Sequence, residues 1–176
     1  MNRLRFSPNV PQVIASWPVD ELTGHPEIRF YRATGKYGFL SNLFPCLLLF
    51  EDRVFPTAEH AYQFGKPKDP AVAEWIVLAP KPHLVAAAAH ALFVFDVNPE
   101  WSRMKVNRMR SILRAKFSPA GLRAALLETG NATLVEASNT DSFWGVGKKG
   151  NGKNILGELL MEIRREIGPW ESEDTA

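Results

Sequence analysis

Apolar positions along the chain recur with two spacings, and these divide it into helices and short strands. Val106, Met109, Leu113 and Phe117 repeat at three- and four-residue intervals, as do Leu156, Leu159, Leu160, Ile163 and Ile167. Each set makes one apolar stripe on an amphipathic helix. The first belongs to a long helix opened by Asn98-Pro99 and running to Phe117; the second predicts a final helix over Ile155–Ile167. Short apolar runs at Ile28–Arg32, Cys46–Phe50 and Leu134–Ala137 read as strands, with Arg53–Phe55 pairing back across Glu51-Asp52. Thr57 caps a helix that runs to about Lys66, where Pro67 stops it. Helices are also expected over Ala71–Leu78, over the alanine-rich and therefore buried Pro82–Leu92, and from Ser118-Pro119 to a stop at Gly130. The fold class that follows is α+β, a mainly helical single domain with a small sheet of short strands. Residues 28–168 form the domain, with a proline-interrupted extension at 1–27 and an acidic tail at 169–176.

Composition narrows the class rather than the chemistry. A chain of 176 residues with 45% hydrophobic and 23% charged residues can bury a core without metal or disulfide staples. No apolar run approaches the roughly 20 residues that span a bilayer, and Cys46 is the single cysteine, read as an inert core thiol. Pro8 and Pro11 stand where a secretory segment would be apolar, so an intracellular, cytoplasmic protein without a membrane partner is expected. The net charge of +2 makes any nucleic-acid contact a local matter. His25, His60, His83 and His90 have no metal-ligand spacing, and neither a metal nor a cofactor is expected.

Two constellations carry candidate chemistry. On the helix after Thr57, Glu59, Gln63 and Lys66 fall at i, i+4 and i+7 on one face, with Tyr62 beside them. A carboxylate and an amine on one wall of a cleft can serve as acid or base and as charge partner or nucleophile; the same pattern also fits a solvated Glu/Lys face. Gly65, in the last turn, costs about 1 kcal/mol relative to alanine, so something is expected to approach it closely. The second constellation is the glycine-rich stretch Trp144–Asn154. Gly147–Asn154 reads G-x-x-x-x-G-K-N, and Asn154 stands where a nucleotide-binding P-loop needs Ser or Thr, which excludes that motif. Its glycines, the helix that starts just after it, and Lys148, Lys149 and Lys153 still allow a phosphate cradle; a surface hairpin is the other reading. Asp141 suits either stabilisation of a cationic sugar carbon or the capping of a turn. Trp144 suits a stacking platform. Trp101 and Lys105 lie one turn apart at the start of the long helix and can reach a pocket, though Trp101 fits an ordinary core equally well. Arg103, Asn107, Arg110 and Arg114 make a basic stripe that reads as a wet face.

Taken in order, these stretches resemble the NADAR family, also called YbiA-like. The resemblance runs through Tyr37-Gly-Phe-Leu-Ser-Asn42, Pro56-Thr-Ala-Glu-His-Ala-Tyr-Gln63 with Lys66, and Trp101…Lys105…Met109. It continues through Leu134-Val-Glu136, Asp141…Trp144-Gly-Val-Gly147, and Gly152-Lys-Asn-Ile-Leu-Gly157. It implies a metal-free glycosidase of N-ribosidic bonds with a pocket for a phosphorylated ribose. Two substrates follow from it: ADP-ribosylated guanine in DNA or a nucleotide, with some members acting as antitoxin to a DarT-type ADP-ribosyltransferase, and ribosylamino-pyrimidine phosphates of riboflavin synthesis. A module that binds ADP-ribose-like ligands without turnover is the alternative outside enzymes.

Carried onto this sequence, the resemblance implies Glu59, Lys66 and Asp141 as catalytic residues. Glu59 would be the acid or base, Asp141 would orient or stabilise the ribose, and Lys66 would be an anion clamp or imine-forming nucleophile. Phe39, Ser41, Asn42, Tyr62, Trp101, Lys105, Trp144, Gly145, Gly147, Lys153 and Asn154 would bind substrate. The stretch before Phe30 and the Phe64-Gly65 pair depart from the family pattern.

Overall fold

The computed structural model describes residues 24–168. The expected extension and acidic tail lie almost wholly outside that span. Strand β1 (Glu27–Phe30) pairs in parallel with β4 (Thr133–Glu136), Glu27 opposite Thr133 and Phe30 opposite Glu136. β2 (Leu48–Phe50) and β3 (Arg53–Phe55) form a separate antiparallel hairpin. Its two turn residues, Glu51 and Asp52, both have positive φ, at 51° and 57°, the requirement of the tight turn whose twist matches its strands. The strands are thus divided between two pairs.

The helices are α1 (Ala58–Phe64), α2 (Pro70–Val77), α3 (Pro82–His90), α4 (Trp101–Lys116), α5 (Ala120–Leu127) and α6 (Ile155–Ile167). Thr57 caps α1 by accepting from the His60 amide, and Asp69 caps α2 by accepting from Ala71. Met109, Ile112 and Leu113 of α4, with Phe117 just past its end, bury themselves against Leu156, Leu159, Leu160 and Ile163 of α6, with Ile28, Phe30 and Leu134 of the parallel pair. Full burial of such side chains contributes roughly 1.5–3 kcal/mol each, so α4 and α6 are the fold's main axis. Arg110 and Arg114 of α4 reach Glu162 and Glu166 of α6 at 2.7 and 2.6 Å. Half of the stripe read as a wet face is therefore a strap between helices.

Several boundaries differ from expectation for local reasons. β1 stops at Phe30, and Tyr31 and Arg32 are exposed. β2 starts only at Leu48, because the Cys46 amide is donated to Pro56 O, past the end of the hairpin ladder; Cys46 itself is half-buried, and burial pushes its thiol up. Asn98-Pro99 makes a turn just before α4, where Asn98 Oδ1 accepts from Glu100 and its carbonyl from Trp101. α5 ends at Leu127, and Gly130 closes a further turn at φ 55°. The Pro82–His90 helix is amphipathic rather than buried: only Val85 and Ala89 are sequestered, since alanine is small enough to sit on either face.

Candidate functional site

One cavity of about 390 Å³ opens between α1, α4, the end of β4 and the loop that follows. Nine of the residues singled out in the sequence line it: Ser41, Asn42, Glu59, Tyr62, Lys66, Trp101, Lys105, Asp141 and Trp144. They come from four separated segments.

The first wall is built by α1. Its amide at Glu59 is donated to Asn42 O at 3.0 Å, which ties the helix to the Ser41-Asn42 loop. Lys116, buried in the core, donates to Ser41 O at 2.7 Å and holds that loop from behind. Glu59 is buried, and Gln63, one turn on, donates to its Oε1 at 2.8 Å. Burial pushes the Glu59 carboxyl up, against the Gln63 bond and the Lys66 charge. Lys66 sits just past the helix and donates to Ala89 O of α3 at 2.6 Å; its ammonium is pushed down by burial, with Glu59 opposing. Gly65 is approached closely, as its sequence position predicts. A Cβ there would strike the Arg108 guanidinium, which donates to Ala61 O and to both oxygens of Glu51. The visitor is structural rather than a ligand.

Aromatic rings close one side. Tyr62 lies 4.9 Å from Trp101 and 5.4 Å from Trp144 between ring centroids, and Phe143 meets Trp144 edge-on at 5.1 Å. Trp101 is both core and cavity wall. Such rings offer an apolar, polarisable surface to a flat heterocycle. Lys105 Nζ lies 3.7 Å and Lys153 Nζ 5.6 Å from the Phe143 centroid, so this ring has two ammonium neighbours at the rim.

Asp141 caps a turn, one of the two roles its sequence allowed, and does so at the cavity wall. Its Oδ1 accepts from the amides of Phe143 and Trp144, each at 2.8 Å, and the residue lines the cavity. Glu136, at the end of β4, is a second acidic residue on the wall, and it was passed over as a site in the sequence. Burial, then Asp141 and Glu59, push its carboxyl up to about 8. The signal for it was slight: a carboxylate closing an apolar run, followed by Ala137. Tyr31, Gln63, His90, Ser138, Thr140 and Phe143 are further polar or aromatic lining residues that sequence reasoning did not assign to the site.

Five expected contacts do not line the cavity: Phe39, Gly145, Gly147, Lys153 and Asn154. Phe39 packs against the core. The glycine-rich stretch is a knot, not a cradle. The amides of Gly152, Lys153, Asn154, Ile155 and Leu156 are donated to Val146, Ser142, Gly145, Phe143 and Trp144 carbonyls at 2.7–3.2 Å. The amides that lead into α6, the ones a helix-start anion site would use, are consumed inside the loop. Asn154 holds the knot to β4: its side chain accepts from Glu136 N at 2.9 Å and donates to Leu134 O at 2.8 Å. Lys153 keeps only its exposed ammonium for other work.

The family model for the NADAR domain matches residues 29–168. The chain belongs to the NADAR family. It is 39% identical over 141 residues to the N-glycosidase YbiA of Escherichia coli (strain K12), which covers 80% of this chain and 88% of that protein. It is 39% identical to the N-glycosidase Npun_R5314 of Nostoc punctiforme, over 80% of this chain and 92% of the relative. The riboflavin biosynthesis protein VVA0006 of Vibrio vulnificus is 36% identical over 80% of this chain, which accounts for 38% of that longer protein. The NMR structure of E. coli YbiA superposes with a TM-score of 0.74 at 36% identity, covering 85% of this chain and 89% of that one. Among the described residues of this NADAR protein, no helix is long and apolar enough to cross a membrane.

Proposed function

We propose that this NADAR protein hydrolyses the N-glycosidic bond between the ribose of ADP-ribose and a guanine base, releasing ADP-ribose and leaving the guanine in its nucleic acid or nucleotide. That it is a hydrolase of N-glycosyl bonds follows from the family; the substrate is the proposal. The observation that carries it is the convergence of Glu59, Asp141, Lys66 and the Tyr62–Trp101–Trp144 aromatic wall on one cavity of about 390 Å³, within the size range of small-ligand sites.

Cleavage of the C1–N bond leaves its electron pair on the base nitrogen, which must gain a proton, and leaves positive charge on C1 and the ring oxygen. Glu59, kept protonatable by burial, gives that proton. Asp141, its other oxygen fixed by two amides, balances the charge on the sugar. Water then adds to C1 and returns a proton to Glu59, so the carboxyl ends as it began. The aromatic wall holds the base. Lys105 and Lys153, flanking Phe143 at the rim, hold the phosphates that the loop amides cannot. Lys66 has two chemically distinct roles open to it, clamping an anion or capturing the opened sugar as an imine. Borohydride trapping of a protein–sugar adduct separates them.

The test is incubation with guanine-ADP-ribosylated DNA, following release of ADP-ribose. Turnover that Glu59→Gln abolishes supports the reading. The relative named for riboflavin biosynthesis favours a second substrate, a ribosylamino-pyrimidine phosphate. Rapid breakdown of that compound with no ADP-ribose released would make it the substrate instead. Binding of ADP-ribose with no turnover of either would make the protein a binding module. A DarT-type partner is tested by whether co-expression of this chain rescues growth from such a toxin.

A further inference from the structure

Three buried side-chain atoms have no hydrogen-bond partner among the described residues: Asn42 Oδ1, Gln63 Oε1 and Glu136 Oε2. All three are oxygens, and all three residues line the same cavity. A buried acceptor left unpaired costs roughly 1–3 kcal/mol, and the fold gains nothing from keeping three in one place. Nor can they easily turn away. Gln63, only 4% exposed, has its amide nitrogen committed to Glu59, and Asn42 Nδ2 is directed at Met109 Sδ at 3.4 Å. Glu136 is pinned through its backbone, its amide donated to Asn154 Oδ1 and its carbonyl accepting from Val146. The three come from different segments, a loop, a helix and a strand end, so chance adjacency in sequence does not explain their meeting.

We propose that these oxygens form an acceptor wall that selects the base: a heterocycle presenting amino and ring N–H donors, as the 2-amino-4-oxopyrimidine ring of guanine does, over one lacking the amino group. The assignment rests on the proposed reaction only in taking the cavity to hold the leaving base. A site built around acceptors rejects a ligand that leaves them unpaired far more strongly than an apolar site rejects a missing methylene. Gln63 and Glu136 are specificity residues in this scheme, and Asn42 assists them.

The wall has a proton signature. Glu136 faces Glu59 on α1 and Asp141 on the following loop, in a cavity also lined by Lys66, Lys105, His90, Tyr31 and Tyr62. Burial and the two carboxylates leave Glu136 protonated at neutral pH in the free protein. An incoming N–H is accepted best by the ionised form, so donor binding expels the proton. Affinity for a donor-bearing base therefore rises as pH climbs from about 6 to about 8.

The experiment is calorimetric binding of guanosine and of inosine, which differ by the one amino group, to the full chain. Guanosine is expected to bind at least about tenfold tighter than inosine. Gln63→Leu and Glu136→Leu should each lose about tenfold for guanosine and change inosine little. Glu136→Gln, which keeps shape and an acceptor oxygen, should retain the preference and lose the rise with pH. Equal affinity for the two nucleosides, no binding of either at millimolar concentration, or parallel losses for both in the leucine variants would overturn the wall. Hydrolysis is scored separately: wild-type protein that discriminates the nucleosides yet releases no ADP-ribose keeps the wall and loses the proposed reaction.

Discussion

The α1 wall and the glycine-rich loop both looked like sites, and they are built on opposite principles. On α1, the backbone is satisfied by the helix itself, so side chains are free to face the cavity; Glu59, Tyr62, Gln63 and Lys66 all do. In the loop, the backbone has no helix or sheet to satisfy it, so its amides pair across the loop and the Asn154 side chain ties it to β4. Glycine there answers a demand for space: a Cβ on Gly157, at the start of α6, would run into Leu134 O and the Asn154 side chain. A glycine-rich sequence before a helix therefore says that backbone comes close to something, without saying whether that is phosphate or more backbone.

The largest effect should be on the wall. Glu59→Gln is isosteric and keeps a hydrogen-bonding partner for Gln63, so its thermal midpoint should stay near that of the wild type. Its kcat should fall by about 10²–10⁴, the range of a lost acid–base group. A variant that kept a tenth of the wild-type rate would move the proton donor elsewhere, with Glu136 the next carboxyl in line.

The mirror experiment breaks the loop. Gly157→Ala is expected to cost at least about 1–3 kcal/mol through overpacking, because the obstructing atoms are a strand carbonyl and a side chain with two bonds to lose. Thermal denaturation reads this directly. Surviving folded protein should turn over substrate with KM close to wild type. An unchanged melting point with KM raised tenfold would restore the loop as a ligand cradle.

This asymmetry also explains what could be read without coordinates. Helix periodicity put Glu59, Gln63 and Lys66 on one face, and the apolar stripes of α4 and α6 gave the core. Tertiary convergence was beyond any local pattern: nothing near Glu136 in sequence announces Asp141 and Glu59 across the cavity. Gly65 was legible as a close approach, but its visitor, Arg108, comes from 43 positions further along the chain. Lys116 was invisible for a related reason. A lysine on a predicted basic helix reads as solvated until the Ser41 loop is laid over it.

Lys116 sharpens the comparison, since it is the wall's own backbone anchor. Burial lowers its pKa from 10.5 to about 8, with Cys46 opposing. Between those values the unfolded chain binds the proton that the folded chain has released, so this group makes stability rise with pH across that window. The wild type should therefore gain stability relative to Lys116→Met between about pH 8 and 10, by at most about 3 kcal/mol. Comparing urea midpoints of the two proteins removes the contribution of Tyr62, which both share, and making the comparison in a Cys46→Ala background removes that of the thiol, which the Lys116 charge pulls down. A constant difference across that range would mean that Lys116 keeps its proton and carries a charge through the core.

The smallest effect tests the one part of the loop that remains available. Lys153 lends no amide to a ligand, but its ammonium and that of Lys105 flank the Phe143 ring from the loop and from α4. If both hold phosphate, Lys105→Ala and Lys153→Ala should each raise KM for a phosphorylated substrate a few-fold and leave kcat alone, because an exposed ion pair is worth only about 0.2–1 kcal/mol. Lys105, the less exposed of the two, should have the larger share. The effects should shrink in high salt, where exposed charges are screened, and should vanish for a substrate that lacks phosphate. A loss in kcat from Lys153→Ala would place the loop in the chemistry after all. No change from either variant would leave the rim ring without a charge role and confine substrate recognition to the α1 wall and its carboxylates.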